Sequence, residues 1–150
     1  MPIHVELVTQ ERKVFEDDAV DSINVPGAEG EMGILPGHAP VLTTMSFGEL
    51  VIKKGDAEER YAIYGGVVDV RPDKVVILAD LAESSFAIDA EKAREARERA
   101  RKMMEEGVPD EDNREAVLEL RRAELQLKLS NKMSNRGSVM RIVDQDDRED

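Results

Sequence analysis

Residues 1–87 consist mainly of short runs in which apolar and polar residues alternate. In IHVELVT (3–9), the side chains of Ile3, Val5 and Leu7 fall on one face of an extended chain. Similar runs occupy residues 20–25, 31–35, 39–45, 48–54, 59–64, 67–71 and 74–80, with turn residues such as Gly55, Asp56, Pro72 and Asp73 between them. This pattern predicts an N-terminal β-sandwich of short antiparallel strands.

Two interruptions of the alternation carry predictions of their own. The pair Gly65 and Gly66 lies between the runs 59–64 and 67–71 and predicts a β-bulge or a close approach of two backbones. The acidic stretch EDDAVD (16–21) lacks the loop glycine of an EF-hand. We interpret that stretch as a solvated turn.

Beyond residue 87 the apolar spacing changes to that of α-helices. Asp89 is the predicted N-cap of a first helix, Ile88 its hydrophobic staple and Gly107 its stop signal. The stripe of this helix is Ala93, Ala96, Ala100 and Met103. A second helix is predicted over about residues 113–134, with the stripe Ala116, Leu120, Ala123 and Leu127 and the flanking residues Leu118, Leu125 and Leu129.

Two helices joined by the short turn 108–113 form an antiparallel hairpin, so the fold class is α+β. A seam of alanines buries little apolar area, so the hairpin should be weakly held. It either packs on the sandwich or detaches to find another partner, and the leucines predicted to be exposed favour the second alternative. The predicted domains are 1–87 (sandwich), 88–136 (regulatory hairpin) and 137–150 (disordered acidic tail).

Composition and charge exclude several functions. The net charge of −12 argues against a nucleic-acid partner, which would require a basic patch. The chain has no cysteine, which excludes disulfides and thiolate metal sites. The longest apolar run is VVILA (75–79), so neither a membrane-inserted helix nor a signal peptide is predicted.

Catalytic chemistry is not indicated either. The chain has two histidines, His4 and His38, with no GxSxG or phosphate-loop motif, and we predict neither a catalytic residue nor a metal site. His4 is predicted to be an exposed strand residue. An alternative to a subunit of a larger assembly is a freestanding β-sandwich ligand-binding module with a helical appendage. The low aromatic content, 3%, argues against that alternative.

Two long stretches carry a resemblance to a known family. EDDAVDSINVPGAEGEMGILPGHAPVLT (16–43) and IYGGVVDVRPDKVVILAD (63–80), followed by the charged alanine-rich helices, resemble the epsilon subunits of bacterial F-type ATP synthases, equivalent to the mitochondrial delta subunit. The resemblance spans about residues 3–135. It implies a β-sandwich followed by two helices, in agreement with the periodicity.

The resemblance implies a noncatalytic rotor subunit of the central stalk. Such a subunit binds the gamma subunit and the ring of c subunits, couples the catalytic head to proton transport and inhibits ATP hydrolysis when its hairpin extends to the alpha and beta subunits. It would lie at the cytoplasmic face of the bacterial cell membrane as a peripheral protein, without a cofactor.

The resemblance also implies contact residues in the glycine- and proline-rich segment GEMGILPGHAP (30–40). Glu31, Gly37 and His38 are the candidates for contact with the c ring. Gly30, Gly33 and Gly37 permit tight turns, while Pro36 and Pro40 stiffen the segment.

In the hairpin the resemblance implies two sets of candidates. Some family members bind ATP through an [IL]DxxRA motif, and the corresponding residues here are Ile88, Asp89, Lys92 and Ala93, with Arg99 at a further position. Lys92 replaces the arginine and lacks its bidentate geometry, so ATP would be at most a weak regulatory ligand. The candidates for inhibitory contact with acidic surfaces are Arg121, Arg122, Lys128 and Lys132.

Overall fold

A computed structural model describes residues 2–107, 110–136 and 139–143. The chain forms two compact units that divide after Ser84. The first unit contains all the strands and also residues 139–143, and the second contains the helices. The division lies close to the predicted boundary at residue 87, and the fold class predicted from the sequence is confirmed.

Eight strands lie in the described part of the first unit, and several are longer than the sequence pattern predicts. Their bounds are β1 Ile3–Val8, β2 Lys13–Val20, β3 Ser22–Gly27, β4 Gly30–Ile34, β5 Val41–Lys54, β6 Ala57–Val70, β7 Lys74–Ala79 and β8 Ala82–Ser84. The pairing order is β2-β1-β7-β6-β5-β3-β4, with β8 pairing to β6. The β1–β7 pair is parallel, which differs from the predicted antiparallel arrangement.

The sandwich arises because β5 and β6 each span both of its layers. The runs predicted as separate strands at 39–45 and 48–54 are one strand, β5, and those at 59–64 and 67–71 are one strand, β6. The first half of β6 pairs with β8 and the second half pairs with β7. A Cβ on Gly66 would lie 2.8 Å from the Cα of Ala79, so the predicted close backbone approach is confirmed.

The core lies between the layers. Ile3, Val5 and Leu7 are buried while the residues between them are not, which confirms the predicted alternation in β1. The other core side chains come from every strand except β8: Phe15, Val20, Ile23, Val25, Ile34, Met45, Leu50, Ile52, Tyr61, Ile63, Val68, Val70, Val75, Ile77 and Ala79. Burial raises the pKa of the Tyr61 hydroxyl well above its ordinary value, and the nearby Glu59 raises it further.

The interpretation of residues 16–21 as a solvated turn was wrong. Residues 13–20 form β2, which pairs with β1, and Phe15 and Val20 point into the core. Asp17 accepts hydrogen bonds from the Lys54 ammonium at 3.0 and 3.2 Å. Antiparallel pairing and two buried apolar side chains overcome the preference of aspartate for turns.

The second unit contains a short 3₁₀ helix, Ser85–Ala87, and two α-helices, α1 Ala90–Glu105 and α2 Asp110–Arg136. The side chain of Asp89 accepts from the amides of Glu91 (3.0 Å) and Lys92 (3.2 Å), which confirms the N-cap. Gly107 has φ +70°, as a helix stop signal requires. Neither helix, as far as the described residues go, has the length and apolar character needed to cross a membrane.

The helices pack through the predicted alanine seam. Ala93, Ala100, Ala116, Ala123 and Leu127 are buried. One part of the prediction was wrong: Leu129, expected among the exposed leucines, is 1% exposed, whereas Leu118 is 50% exposed. Leu129 lies on a different side of α2 from the seam, so helical spacing around the seam did not identify its burial.

Residues 139–143 differ from the predicted disordered tail. The amide of Glu58 donates to the carbonyl of Met140 at 2.9 Å, and Ile142 and Val143 pack against the sandwich core. The predicted disorder was based on the charged residues beyond residue 143 and did not take Ile142 and Val143 into account. The other residues assigned to the tail, 137–138 and 144–150, lie outside the described part of the chain.

Candidate functional site

The loop of residues 35–40 is fixed by hydrogen bonds at one end of the sandwich. The amide of Gly37 donates to the carbonyl of Pro72 at 2.8 Å, and the amide of His38 donates to the carbonyl of Leu35 at 3.2 Å. Nδ1 of His38 lies 2.7 Å from the carbonyl oxygen of Ala39. Gly37 has φ +84°, a conformation that favours glycine. The loop is therefore preformed.

Glu31 lies outside that loop, on β4 beside the β3–β4 turn, and is exposed. The amide of Ala28 in this turn donates to the carbonyl of Thr44, near the beginning of β5, where the loop of residues 35–40 also ends. Glu31 and His38 are not joined by a hydrogen bond or ion pair in the described part of the chain. The structure therefore does not bring them together into one paired site.

The expected tight turn at Gly33 was wrong. Gly33 lies inside β4, opposite Asn24, and is not among the glycines with positive φ. A β-strand accepts glycine without needing its conformational freedom. The positive-φ glycines of the segment are Gly30 and Gly37.

An apolar row crosses the outer face of the sandwich. Leu78 pairs with Val8 on β1 and with Val67 on β6, so these three side chains lie on one face. Leu42 lies on the same face of β5 because Thr44, two residues away, pairs with Val67. Leu42 is 72% exposed and Leu78 is 51% exposed. Thr44 and Asp69 lie between the two leucines on this face. Two largely exposed leucines on one face are a candidate protein contact surface.

A small charged cluster lies at the β1–β2 edge of the same face. Nε2 of His4 lies 3.4 Å from Glu6 and 3.2 Å from Glu16, so three possible metal ligands converge, which the sequence did not reveal. The Lys13 ammonium already lies 3.2 Å from Glu16. The hydrogen bond with Glu16 raises the pKa of Lys13 and lowers the pKa of Glu6. The prediction that the chain holds no metal stays a prediction.

A buried ion pair was also missed. Glu59 on β6 is 0% exposed, and Arg141 donates to both of its oxygens, from Nη2 at 2.6 Å and from Nε at 3.1 Å. The amide of Val143 donates to the same carboxylate at 2.9 Å. Sequence reasoning had no signal for this pair because 82 residues separate the two partners.

Three of the five candidate ATP residues, Asp89, Ala93 and Arg99, have structural contacts within the hairpin. The Asp89 carboxylate caps the helix, and Ala93 is buried in the seam. Arg99 lies 3.5 Å from Glu119 on α2, while Lys92 is exposed and Ile88 is half-buried. Weak ATP binding through these residues stays a prediction.

The four basic candidates lie on α2 outside its seam with α1. Arg121, Arg122, Lys128 and Lys132 are all exposed, whereas the seam residues Ala123 and Leu127 are buried. Arg121, Lys128 and Lys132 are spaced by 7 and 4 residues, so they share one face of the helix. Such a face can approach an acidic surface.

Comparisons with known families match both units. A family model described as "ATP synthase, Delta/Epsilon chain, beta-sandwich domain" matches residues 2–85. A second, "ATP synthase, Delta/Epsilon chain, long alpha-helix domain", matches residues 87–131. Together they cover the sandwich and most of the hairpin in the same order.

Similar proteins and structures agree with these matches. The ATP synthase epsilon chain of Halalkalibacterium halodurans is 45% identical over 122 residues, which are 81% of this chain and 91% of that protein. The epsilon chain of Herpetosiphon aurantiacus is 42% identical over 136 residues, 91% of this chain and 99% of that protein.

Two solved structures are also similar. A chain in the Euglena gracilis mitochondrial ATP synthase structure (OSCP/F1/c-ring) has TM-score 0.66 and 27% identity, covering 89% of this chain and 80% of that chain. A chain in the central stalk/c-ring structure of the Tetrahymena thermophila mitochondrial enzyme has TM-score 0.61 and 16% identity, covering 87% and 97%; it shows likeness of fold alone.

Proposed function

The chain belongs to the delta/epsilon chain family of ATP synthases, and on that premise we propose that it is a rotor subunit coupling the catalytic head to the proton-driven c ring. The subunit is noncatalytic, and its family is that of the central stalk. The observation that carries the proposal is the match of both domain models, in order, to the sandwich and the hairpin. The proposed location is peripheral, at the cytoplasmic face of a bacterial cell membrane.

The preformed end of the sandwich is the proposed contact with the c ring. The bonds from Gly37 to Pro72 and from Ala28 to Thr44 support this assignment, because a contact that transmits torque should lose little conformational entropy on docking. Glu31 supplies an exposed negative charge for basic groups of the partner. His38 supplies a second polar contact.

Proton pumping in membrane vesicles tests this contact. The double variant Glu31→Lys and His38→Ala should hydrolyse ATP but pump protons poorly. The matched control is Asp56→Lys, an equal charge change in the turn at the other end of the β5–β6 pair. Full pumping by the double variant would remove the c-ring assignment.

The apolar row is the proposed contact with the gamma subunit. Burying Leu42 and Leu78 against a partner would contribute about 1.5–3 kcal/mol each. Leu42→Asp combined with Leu78→Asp should therefore abolish co-purification with gamma. Leu35→Asp, at an exposed leucine of the loop, is the control. Failure of the unsubstituted chain to bind gamma would favour a freestanding ligand-binding module instead.

The helix hairpin is proposed to inhibit ATP hydrolysis by extending to the alpha and beta subunits. The thin alanine seam supports this role, because a switch needs two arrangements that differ by only a few kcal/mol. The exposed basic face of α2 gives the extended form a way to bind acidic surfaces.

Replacing residues 85–138 with a short glycine-serine linker tests inhibition and keeps Arg141 for Glu59. The assembled enzyme should hydrolyse ATP faster than the enzyme with the intact chain. Lys128→Glu should have a smaller effect in the same direction, and Lys102→Glu on α1 is its control. An unchanged rate after removal of the hairpin would exclude inhibition.

A further inference from the structure

Glu59 carries a negative charge inside the core of the sandwich. It lies on the same face of β6 as Tyr61 and Ile63, and its side chain is 0% exposed. A buried carboxylate is costly unless hydrogen bonds and an opposite charge compensate it. The groups that bind the buried Glu59 carboxylate are therefore held strongly in place.

The compensation comes from residues 139–143, which we call the C-terminal anchor. Arg141 binds both oxygens of Glu59, and the amide of Val143 binds one of them. The carbonyl of Met140 accepts from the amide of Glu58 at 2.9 Å. Ile142 and Val143 add apolar contacts with the core. These contacts make the anchor an integral part of the sandwich, although it follows the helices in sequence.

The anchor fixes where the chain returns after the hairpin. Nη2 of Arg141 lies 3.4 Å from the side-chain oxygen of Ser84, the last residue of the sandwich before the helices. The chain thus leaves and rejoins the sandwich at one place. An antiparallel helix pair can satisfy this condition, because α2 returns along α1 and exceeds it by only 11 residues, about 16 Å.

A hairpin whose two helices lie end to end cannot leave and rejoin the sandwich at one place. With 16 and 27 residues, α1 and α2 placed end to end would span about 65 Å. The five chain steps from Arg136 to Arg141 reach at most about 18 Å. Arg141 must therefore leave Glu59 before the helices can separate along their full length. The family model of the helices ends at residue 131, so the anchor lies outside the matched region.

We propose that the C-terminal anchor is a latch that holds the hairpin closed, and that release of Arg141 from Glu59 is a required step in opening. The consequence for ATP hydrolysis rests on the inhibitory role proposed above, whereas the latch itself is a property of this chain alone. Opening of the hairpin then requires release of Arg141 from Glu59 as well as separation of the weakly packed seam.

The absence of cysteine allows a direct test in the full-length chain. Ala123→Cys places a thiol in the seam, where it reacts with a thiol reagent only when the helices separate. Val68→Cys places a thiol in the sandwich core and reports unfolding of the sandwich. The ratio of the two labelling rates separates opening of the hairpin from loss of the fold.

Arg141→Met should increase labelling of the seam thiol about tenfold or more, because a charge-assisted pair is lost. It also leaves Glu59 unpaired, so the second variant combines Glu59→Met with Arg141→Ala, which removes the buried charge without giving the anchor an apolar side chain that could replace the ion pair. Neither variant should increase the labelling rate of the thiol at position 68. Arg71→Met, at an exposed arginine of the sandwich, is the control. Equal seam labelling in the double variant and the parent chain would overturn the latch.

The same double variant in the assembled enzyme tests the link to inhibition. If opening inhibits, it should hydrolyse ATP more slowly than the parent enzyme. Faster seam labelling with unchanged hydrolysis would support the latch and count against the inhibitory role. Unchanged seam labelling would reject the latch whatever the hydrolysis rate.

Discussion

The sandwich and the hairpin bury different kinds of side chain. The sandwich core contains isoleucine, valine and leucine from almost every strand, whereas the α1–α2 seam is mostly alanine. Burying one large aliphatic side chain contributes about 1.5–3 kcal/mol, and alanine contributes far less. The burial of side chains therefore stabilises the sandwich core more strongly than the packing of α1 on α2.

The two units also differ in how far their ion pairs are buried. The sandwich buries an ion pair, Glu59 with Arg141, that is bidentate and further hydrogen-bonded. Two ion pairs of the hairpin, Arg99 with Glu119 at 3.5 Å and Arg101 with Glu98 at 3.7 Å, join side chains that are largely exposed. Exposed pairs contribute roughly 0–1 kcal/mol. Weak pairs of this kind suit the change of arrangement proposed above for the hairpin.

The largest expected effect is at the close approach of β6 and β7. Gly66→Ala should destabilise the sandwich by more than about 3 kcal/mol, since the added Cβ meets the backbone of Leu78 and Ala79 at a φ of +139°. Urea unfolding followed by circular dichroism measures this. Gly33→Ala is the control, because its Cβ finds only Asn24 at 3.4 Å. Equal stability of the two variants would show that the sandwich is not rigid there.

A second prediction concerns the seam. Ala100→Leu should destabilise the packing of α1 on α2 by about 1–3 kcal/mol, because the larger side chain has no space. Hydrogen exchange should increase in the helices and stay unchanged in the strands. Lys102→Leu, at an exposed position of α1, is the control. A matching increase in the strands would mean that the two units unfold together.

A smaller effect is expected at the helix cap. Asp89→Ala should cost about 1 kcal/mol, because the amides of Glu91 and Lys92 lose their acceptor. Their hydrogen exchange should accelerate, and Glu91→Ala serves as the control. If Asp89→Ala left hydrogen exchange at the amides of Glu91 and Lys92 unchanged, the Asp89 side chain would not cap the helix. It would then be available to bind a ligand.

The smallest effect is expected at the edge of the sandwich. The hydrogen bond with Glu16, and then that with His4, lowers the pKa of Glu6 below its ordinary value of 4.5. The stabilisation is therefore present above pH 4.5 and is lost as the pH falls through the lowered folded pKa. Denaturant unfolding should show that Glu6→Gln is less stable than the parent at pH 7 and that the difference shrinks in acid. A difference that does not depend on pH would contradict this assignment.

Local patterns were sufficient for most of the secondary structure. The alternation in β1, the cap at Asp89, the stop at Gly107 and the seam spacing each depend on residues within a few positions of one another. The prediction of a turn at β2 failed because the partners that determine its conformation, β1 and Lys54 on β5, are not sequence neighbours of all its residues. Glu31 and His38, which the resemblance placed in one segment, lie on different elements of the fold.

The sequence by itself determined the two-part architecture and, through its resemblance to a family, the class of protein, because periodicity and motifs are properties of neighbouring residues. Only the tertiary structure decided that Glu59 needs Arg141, that Leu129 is buried and that residues 139–143 belong to the sandwich. Each of those facts depends on groups brought together by folding from distant parts of the chain. The free energy of a buried charge is set by what surrounds it in space, and no run of neighbouring residues specifies that surrounding.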